Sequence, residues 1–299
     1  MDDVKVMVLG GAGMLGHKVF QVLRSRFSGV FCSVREDVKS SPFDRVELLH
    51  GEDVIGGVDV TDFESMKVLL GRLRPHFVVN CVGVIKQRAE STSAVPSITI
   101  NSLLPHVLAQ MAEGWGGRVI HFSTDCVFSG KNGSYTESDA SDAEDLYGRS
   151  KYLGEVAGSN ALTLRTSIIG RELCEHRSLL DWFLGQRGGK IQGYRRVIYS
   201  GVTTNFLARL VGEIITKHPD LSGLYQVASD PISKHDLLCL LKEAYEMDVE
   251  IEPDDREVSD RSMKCDRLRS AIGFTCPPWP ELVRELAGDK TPYEEWTRR

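Results

Sequence analysis

The sequence contains no apolar run long enough to cross a bilayer, and its start, Met1-Asp2-Asp3-Val4-Lys5, has no apolar signal core. Its seven cysteines (Cys32, Cys81, Cys126, Cys174, Cys239, Cys265 and Cys276) form no Cys-x-x-Cys pair. That pattern fits reduced thiols and disfavours a disulfide framework. The eight histidines are dispersed, and no His, Cys or acidic cluster has metal-ligand spacing, so no metal is expected. A net charge of −6 and the lack of a long basic stretch argue against a nucleic-acid partner. There is no internal repeat and no low-complexity tract. The expectation is a cytoplasmic protein with no membrane partner. Its 299 residues suffice to bury a real core, as one large α/β unit or one and a half domains.

Val4 to Leu9 is a short apolar run rich in β-branched residues, the pattern of a buried parallel strand. It leads into Gly10-Gly11-Ala12-Gly13-Met14-Leu15-Gly16 and an amphipathic helix to about Arg26. Gly10, Gly13 and Gly16 permit a tight strand-to-helix turn, close approach to a pyrophosphate, and close packing of helix on sheet. The helix N-terminus, at Met14 and Leu15, then offers free N–H groups and a positive dipole end to phosphates. The second strand, Gly29 to Val34, runs into Arg35. An arginine there accommodates a ribose 2′-phosphate, so NADP(H) is preferred, with Glu36 or Asp37 leaving NAD(H) open. Asp59 and Val60 fall at the sheet edge, where an adenine rests, and Thr61 is the expected N-cap of a helix from Phe63 to Leu73. His76 to Gly83 reads as a strand ending in the turn Cys81-Val82-Gly83, which brings backbone close to the second ribose. Lys86 and Gln87, in the next loop, are candidates for a substrate phosphate or sugar.

Tyr147 and Lys151, four residues apart, share one helix face. A phenol titrates near pH ~10, and an ammonium beside it is expected to draw that value down. Ser123-Thr124-Asp125 arrives at the C-terminal end of the strand that starts at Arg118, where ligands sit in open α/β sheets. A hydroxyl from Ser123 or Thr124 would hold a substrate carbonyl oxygen in line with the phenol. Such a set suits proton transfer coupled to hydride transfer. Asn101 is polar within a largely apolar helix spanning Ile98 to Ala112. Strands and helices alternate from Val4 to Thr166, which describes an α/β fold with a doubly wound parallel sheet.

Beyond Gly170 the texture changes. The expected division is 1–169 for cofactor binding and 170–299 mainly for a smaller α/β lobe, with a segment returning to the sheet near 197–224. Val197 to Thr204 reads as a strand and polar loop, Asn205 to Ile215 as a helix, and Ser233 as a helix N-cap. A lobe over the C-terminal edge of a sheet makes a cleft, and substrates bind in such clefts.

The glycine turn, Asn80-Cys81-Val82-Gly83, Asn101, Ser123-Thr124-Asp125-Cys126-Val127-Phe128, Tyr147-Gly148-Arg149-Ser150-Lys151 and Gly154-Glu155 occur in an order and spacing that resembles the extended short-chain dehydrogenase/reductases. Within them, the Ser-Thr-Asp-x-Val-Phe run and Tyr-Gly-x-Ser-Lys-x-x-Gly-Glu resemble dTDP-4-dehydrorhamnose reductase and its relatives. The resemblance implies a Rossmann-type sheet, a nucleotide-sugar substrate and reduction of the 4-keto group of a 4-keto-6-deoxy sugar nucleotide by NAD(P)H. It further implies that Thr124 binds the keto oxygen, Tyr147 donates the proton and Lys151 holds the nicotinamide ribose. Asn101, Asp125, Thr203, Thr204, Arg261 and Ser262 join Lys86 and Gln87 as substrate candidates. A homodimer is a further expectation. His17-Lys18 stands where rhamnose-pathway reductases carry a glutamate near a dimer-bridging magnesium, so that metal link is not expected. Two alternatives remain, an epimerase that recycles its hydride and a non-catalytic NADP-binding regulatory subunit.

Overall fold

The computed structural model describes residues 4–37, 43–85, 93–174 and 176–297. Strand β1 (Lys5–Leu9) is buried from Val6 onward and opens directly into the glycine turn and helix α1 (Met14–Arg24). Strands β2 (Gly29–Ser33) and β3 (Val54–Ile55), helix α2 (Phe63–Leu73) and strand β4 (Phe77–Asn80) complete the first half of the sheet. Helix α3 (Ala94–Ser97), a π-helical stretch (Ile98–Leu103) and α4 (Leu104–Glu113) then run on from one another. Strand β5 (Arg118–Thr124), helix α5 (Leu146–Leu153) and strand β6 (Ala161–Thr166) follow. The chain continues through β7 (Ile168–Ile169), α6 (Leu179–Leu184), β8 (Lys190–Tyr194), β9 (Val197–Tyr199), β10 (Val202–Thr203), α7 (Thr204–Lys217) and β11 (Gly223–Gln226). It ends with β12 (Ile232–Ser233), α8 (Lys234–Ala244), β13 (Glu250–Asp254), β14 (Ser259–Asp260), α9 (Asp266–Ile272), α10 (Trp279–Ala287) and α11 (Tyr293–Thr297).

Seven strands form one parallel sheet in the order β11-β6-β5-β4-β1-β2-β3. The order reverses between β1 and β4, and in such sheets the ligand crevice lies outside the strand ends at that reversal. On one face, Val19, Phe20 and Leu23 of α1 share a core with Leu207, Val211 and Ile215 of α7. On the other, Met66 and Leu70 of α2 meet Leu104, Leu108 and Ala112 of α4. A second core, with Leu180, Phe183, Leu237, Leu241, Trp279 and Leu282, fills the smaller lobe.

Two expectations change. The chain returns to the large sheet through α7 and β11, whereas residues 197–199 leave it: β9 pairs with β12 and β14 in a separate three-stranded sheet. The N-cap of α2 is Asp62, whose carboxylate accepts from the Ser65 N–H, while Thr61 gives its hydroxyl to Asp59. A carboxylate at that end adds a favourable charge–dipole interaction that a threonine lacks. The tail is tied back to α1: Lys18 Nζ donates to Asp289 at 2.6 Å and Thr291 at 2.9 Å, and His17 Nε2 meets the Tyr293 hydroxyl at 2.8 Å.

Candidate active site

The glycine turn lies between β1 and the Cys81-Val82-Gly83 turn. Gly10 has φ +81°, a left-handed conformation that favours glycine, and a Cβ there would meet Val82 Cγ2 at 2.9 Å. A Cβ on Gly16 would collide with the Gly10 carbonyl oxygen, so α1 approaches the strand end more closely than any other residue allows. Gly13 is exposed and caps α1 without a side chain. The N–H groups of Met14, Leu15 and Gly16 therefore have no side-chain cap to compete with an anion. Arg35, two residues past β2, and Asp59, four past β3, are exposed; the Arg35 charge acts on Asp59, and Val60 is buried. Hydrogen bonds from Thr61 hold the Asp59 carboxyl below its ordinary range. These residues fit a dinucleotide: an uncapped helix N-terminus for the pyrophosphate and a glycine turn that allows its close approach.

Across the same edge, β5 delivers Ser123 and Thr124, and α5 delivers Tyr147 and Lys151. Asp145 caps α5 by accepting from the Gly148 N–H at 2.7 Å. The structure separates the two candidate hydroxyls. Ser123 Oγ donates to Glu155 Oε1 at 2.6 Å, whereas Thr124 Oγ1 lies in hydrogen-bonding reach of the Tyr147 phenol. Thr124 Oγ1 also donates to Asp125 Oδ1 at 3.1 Å and accepts the Cys126 N–H at 3.2 Å.

The expected depression of the phenol does not occur. Burial, with Cys126 and Asp125 nearby, raises the Tyr147 pKa, and the Thr124 hydrogen bond only partly offsets this. The Lys151 ammonium is directed at the Phe122 carbonyl, 2.6 Å away at the end of β5, and burial lowers its pKa to about 8 against the pull of Glu155. Tyr147 is thus a protonated phenol at neutral pH.

Asn101, 1% exposed, spends its amide on structure. It accepts the Val84 N–H at 2.9 Å and donates to the Val84 carbonyl at 3.0 Å and to Ser150 Oγ at 3.2 Å. The π-helical stretch carries it inward, and π-bulges often occur at functional sites. It clamps the turn after β4 onto α5. Thr203 accepts the Phe206 N–H as the cap of α7, Thr204 is buried against Gly170, and Ser262 accepts the Ser134 N–H. Each of these three, expected at the substrate, thus also has a contact within the protein. Lys86 and Gln87 lie outside the described residues. Asp125 and Arg261 interact beyond the end of β5: the Arg261 charge acts on the buried Asp125, and Arg261 Nε donates to the Phe128 carbonyl at 2.9 Å.

Sequence reasoning missed Lys234. As the first residue of α8, it sets its ammonium 4.3 Å from the centre of the Tyr199 ring and acts electrostatically on Asp125 and Cys126. The Ser233 cap, read correctly, fixed where the helix starts, but nothing in the local pattern aimed Lys234 at the end of β5.

The pattern described as the RmlD substrate binding domain matches residues 4–290. The methionine adenosyltransferase 2 subunit beta of Rattus norvegicus is 29% identical over 155 residues, 51% of this chain and 42% of that protein. The dTDP-4-keto-6-deoxy-D-glucose reductase of Streptomyces niveus is 28% identical over 152 residues, 50% of this chain and 46% of that protein. The aligned region thus spans less than half the length of these two relatives. The dTDP-4-dehydrorhamnose reductase of Bacillus anthracis, solved with NADP, superposes with a TM-score of 0.77 at 21% identity, covering 95% of this chain and 98% of that one. Because the pattern match takes in the glycine turn, the Thr124–Tyr147–Lys151 set and nearly all of the smaller lobe, this chain belongs to the RmlD substrate binding domain family.

Proposed function

We propose that the protein reduces the 4-keto group of a 4-keto-6-deoxy sugar nucleotide, using a nicotinamide dinucleotide, in the making of deoxysugar precursors for polysaccharides. What supports this reading is the placement of Thr124 at the end of β5 with Tyr147 and Lys151 one turn apart on α5, the Lys151 ammonium on the Phe122 carbonyl, at the same sheet edge as the glycine turn. A bound nicotinamide supplies a hydride to C4. Gly10, Gly13, Met14, Leu15 and Gly16 hold its pyrophosphate, and Asp59, Val60, Cys81, Val82 and Gly83 border its adenosine and ribose. The exposed Arg35 favours NADP(H) over NAD(H). Thr124 holds the keto oxygen. Tyr147 gives that oxygen its proton as the carbonyl becomes an alcohol, and Lys151 holds the nicotinamide ribose. Asp125 and Arg261 face the sugar nucleotide from the cleft. The same proposal includes a soluble, cytoplasmic homodimer, checked by its mass in solution.

The test is loss of NADPH, then NADH, absorbance with a panel of 4-keto-6-deoxy sugar nucleotides, with Tyr147→Phe alongside. Stoichiometric loss that collapses in the variant is expected. Tight cofactor binding without net loss for any member overturns the reductase. Isomer formation without net loss then points to an epimerase. A second reading, a regulatory subunit, draws support from the likeness to the rat beta subunit. Its mark is an unaltered partner response when Tyr147 is replaced.

A further inference from the structure

The Gly154-Glu155 pair ends the Tyr147 helix, and the reaction above leaves Glu155 without a role. The Glu155 side chain is 7% exposed and that of Arg165 is 1% exposed. Arg165 Nε and Nη2 donate to the carboxylate at 2.8 and 2.7 Å, and Ser123 Oγ adds a third bond at 2.6 Å. The guanidinium also lies over the Phe128 ring at 4.9 Å. An ion pair at this depth adds little stability over apolar packing of the same volume, so stability alone does not account for it.

Two connections leave the pair, and both reach the catalytic set. The first runs through the strand. Ser123 stands opposite Arg165 and Thr124 opposite Thr166 in the β5–β6 register, so the Ser123–Glu155 bond pins the residue next to Thr124. The second is electrostatic. The titratable groups facing Lys151 are Glu155 on its own segment, Cys81 after β4 and His121 on β5. Burial keeps Cys81 a neutral thiol and His121 a neutral imidazole, so Glu155 is the charged member of the three. A Cβ on Gly154 would strike the Asn101 carbonyl oxygen, so glycine there lets the end of α5 pack against the π-helical stretch.

We propose that Glu155 is a positioning residue for the Thr124–Tyr147–Lys151 set: held by Arg165, it fixes the end of β5 through Ser123 and provides the counter-charge beside Lys151. The inference rests on the reductase reading for its consequence in turnover, but its electrostatic half is measurable without substrate. The variants are Glu155→Gln, Glu155→Gln/Arg165→Met and Ser123→Ala. Losing the Glu155 charge pushes the Lys151 pKa further below about 8. In Glu155→Gln, the alkaline limb of kcat/KM therefore moves about one pH unit lower. The Lys151 side-chain NMR titration, assigned with Lys151→Met, moves equally, with or without any turnover. Removing Arg165 as well does not restore the lost Glu155 charge, so both stay below wild type. An unmoved Lys151 titration in Glu155→Gln, or a full return to the wild-type value in the double variant, overturns the counter-charge. Ser123→Ala keeps the ion pair and serves if Glu155→Gln does not fold. It lowers kcat about tenfold with no shift in the limb, and an unchanged kcat overturns the strand-end role. A wild type inert with every sugar nucleotide, together with the expected Lys151 shift, refutes the reductase while sustaining the electrostatic assignment.

Discussion

Two helices that flank the glycine turn and the cleft each bury a lysine, and the two are built in opposite ways. Lys18 on α1 is 2% exposed, and its ammonium donates to Gln21 Oε1 and Asp289 Oδ2, both at 2.6 Å, and to Thr291 Oγ1 at 2.9 Å. Three acceptors match the three donors of an ammonium. Burial lowers its pKa, but Asp289 answers directly; and Asp289, despite its own burial, is held below the carboxylate range by Lys18 and Thr291. Lys151 on α5 is 6% exposed and gives a single hydrogen bond, to the Phe122 carbonyl. No carboxylate lies within ion-pairing distance of it among the described residues, and its pKa falls to about 8. A buried cation with every donor filled is a clamp. A buried cation left with spare donors costs stability and is explained by what it will bind.

This contrast is broken most visibly by removing each ammonium in turn. Lys151→Met is expected to lower turnover by roughly 10²–10⁴-fold in the cofactor-loss assay. Near-normal turnover would make Lys151 another clamp. Lys18→Met strands the Asp289 carboxylate and should cost about 3 kcal/mol in urea unfolding. Turnover of the folded fraction should not change. The stability effect of Lys151→Met has the opposite sign. The folded pKa of about 8 lies below the ordinary 10.5, so the folded state binds the proton less tightly than the unfolded chain does. The cost of burying the ammonium is then complete below about pH 8 and fades as the unfolded chain deprotonates near 10.5. Lys151→Met is expected to unfold later than wild type at pH 7, by up to about 3 kcal/mol. The gap should close by pH ~10.5. Equal or lower stability of the variant at pH 7 would mean that Lys151 is paired after all.

The same contrast explains what the sequence discloses. The glycine turn and the Tyr147–Lys151 spacing are local: a strand feeding a helix through glycines, or two residues one turn apart, has few geometries open to it. The sheet followed from the alternation of patterns for the same reason. What stayed hidden depends on distant packing. The rise of the Tyr147 pKa comes from burial, which a four-residue spacing does not encode. Arg165 meets Glu155 only because β6 returns beside β5, and Lys234 reaches the cleft only because the smaller lobe folds over it. Lys18 carried no signal at all, since its partners Asp289 and Thr291 lie at the far end of the chain.

The finest test of the clamp removes one of its three acceptors and leaves the charge pair intact. Thr291 Oγ1 accepts from Lys18 at 2.9 Å and from Gln21 Nε2 at 3.0 Å, and donates to Asp289 Oδ1 at 2.8 Å. Thr291→Val keeps the volume and deletes all three bonds. Were each hydrogen bond an independent contribution, the loss would be about 3 kcal/mol, near that of losing the charge itself. The ammonium and carboxylate remain within 2.6 Å of each other, and the site is close enough to solvent at Asp289, 11% exposed, for water to replace the hydroxyl. The expected cost is therefore nearer 1 kcal/mol. A loss as large as that of Lys18→Met would show that the hydroxyl, and not the ion pair, holds the tail of the chain against α1.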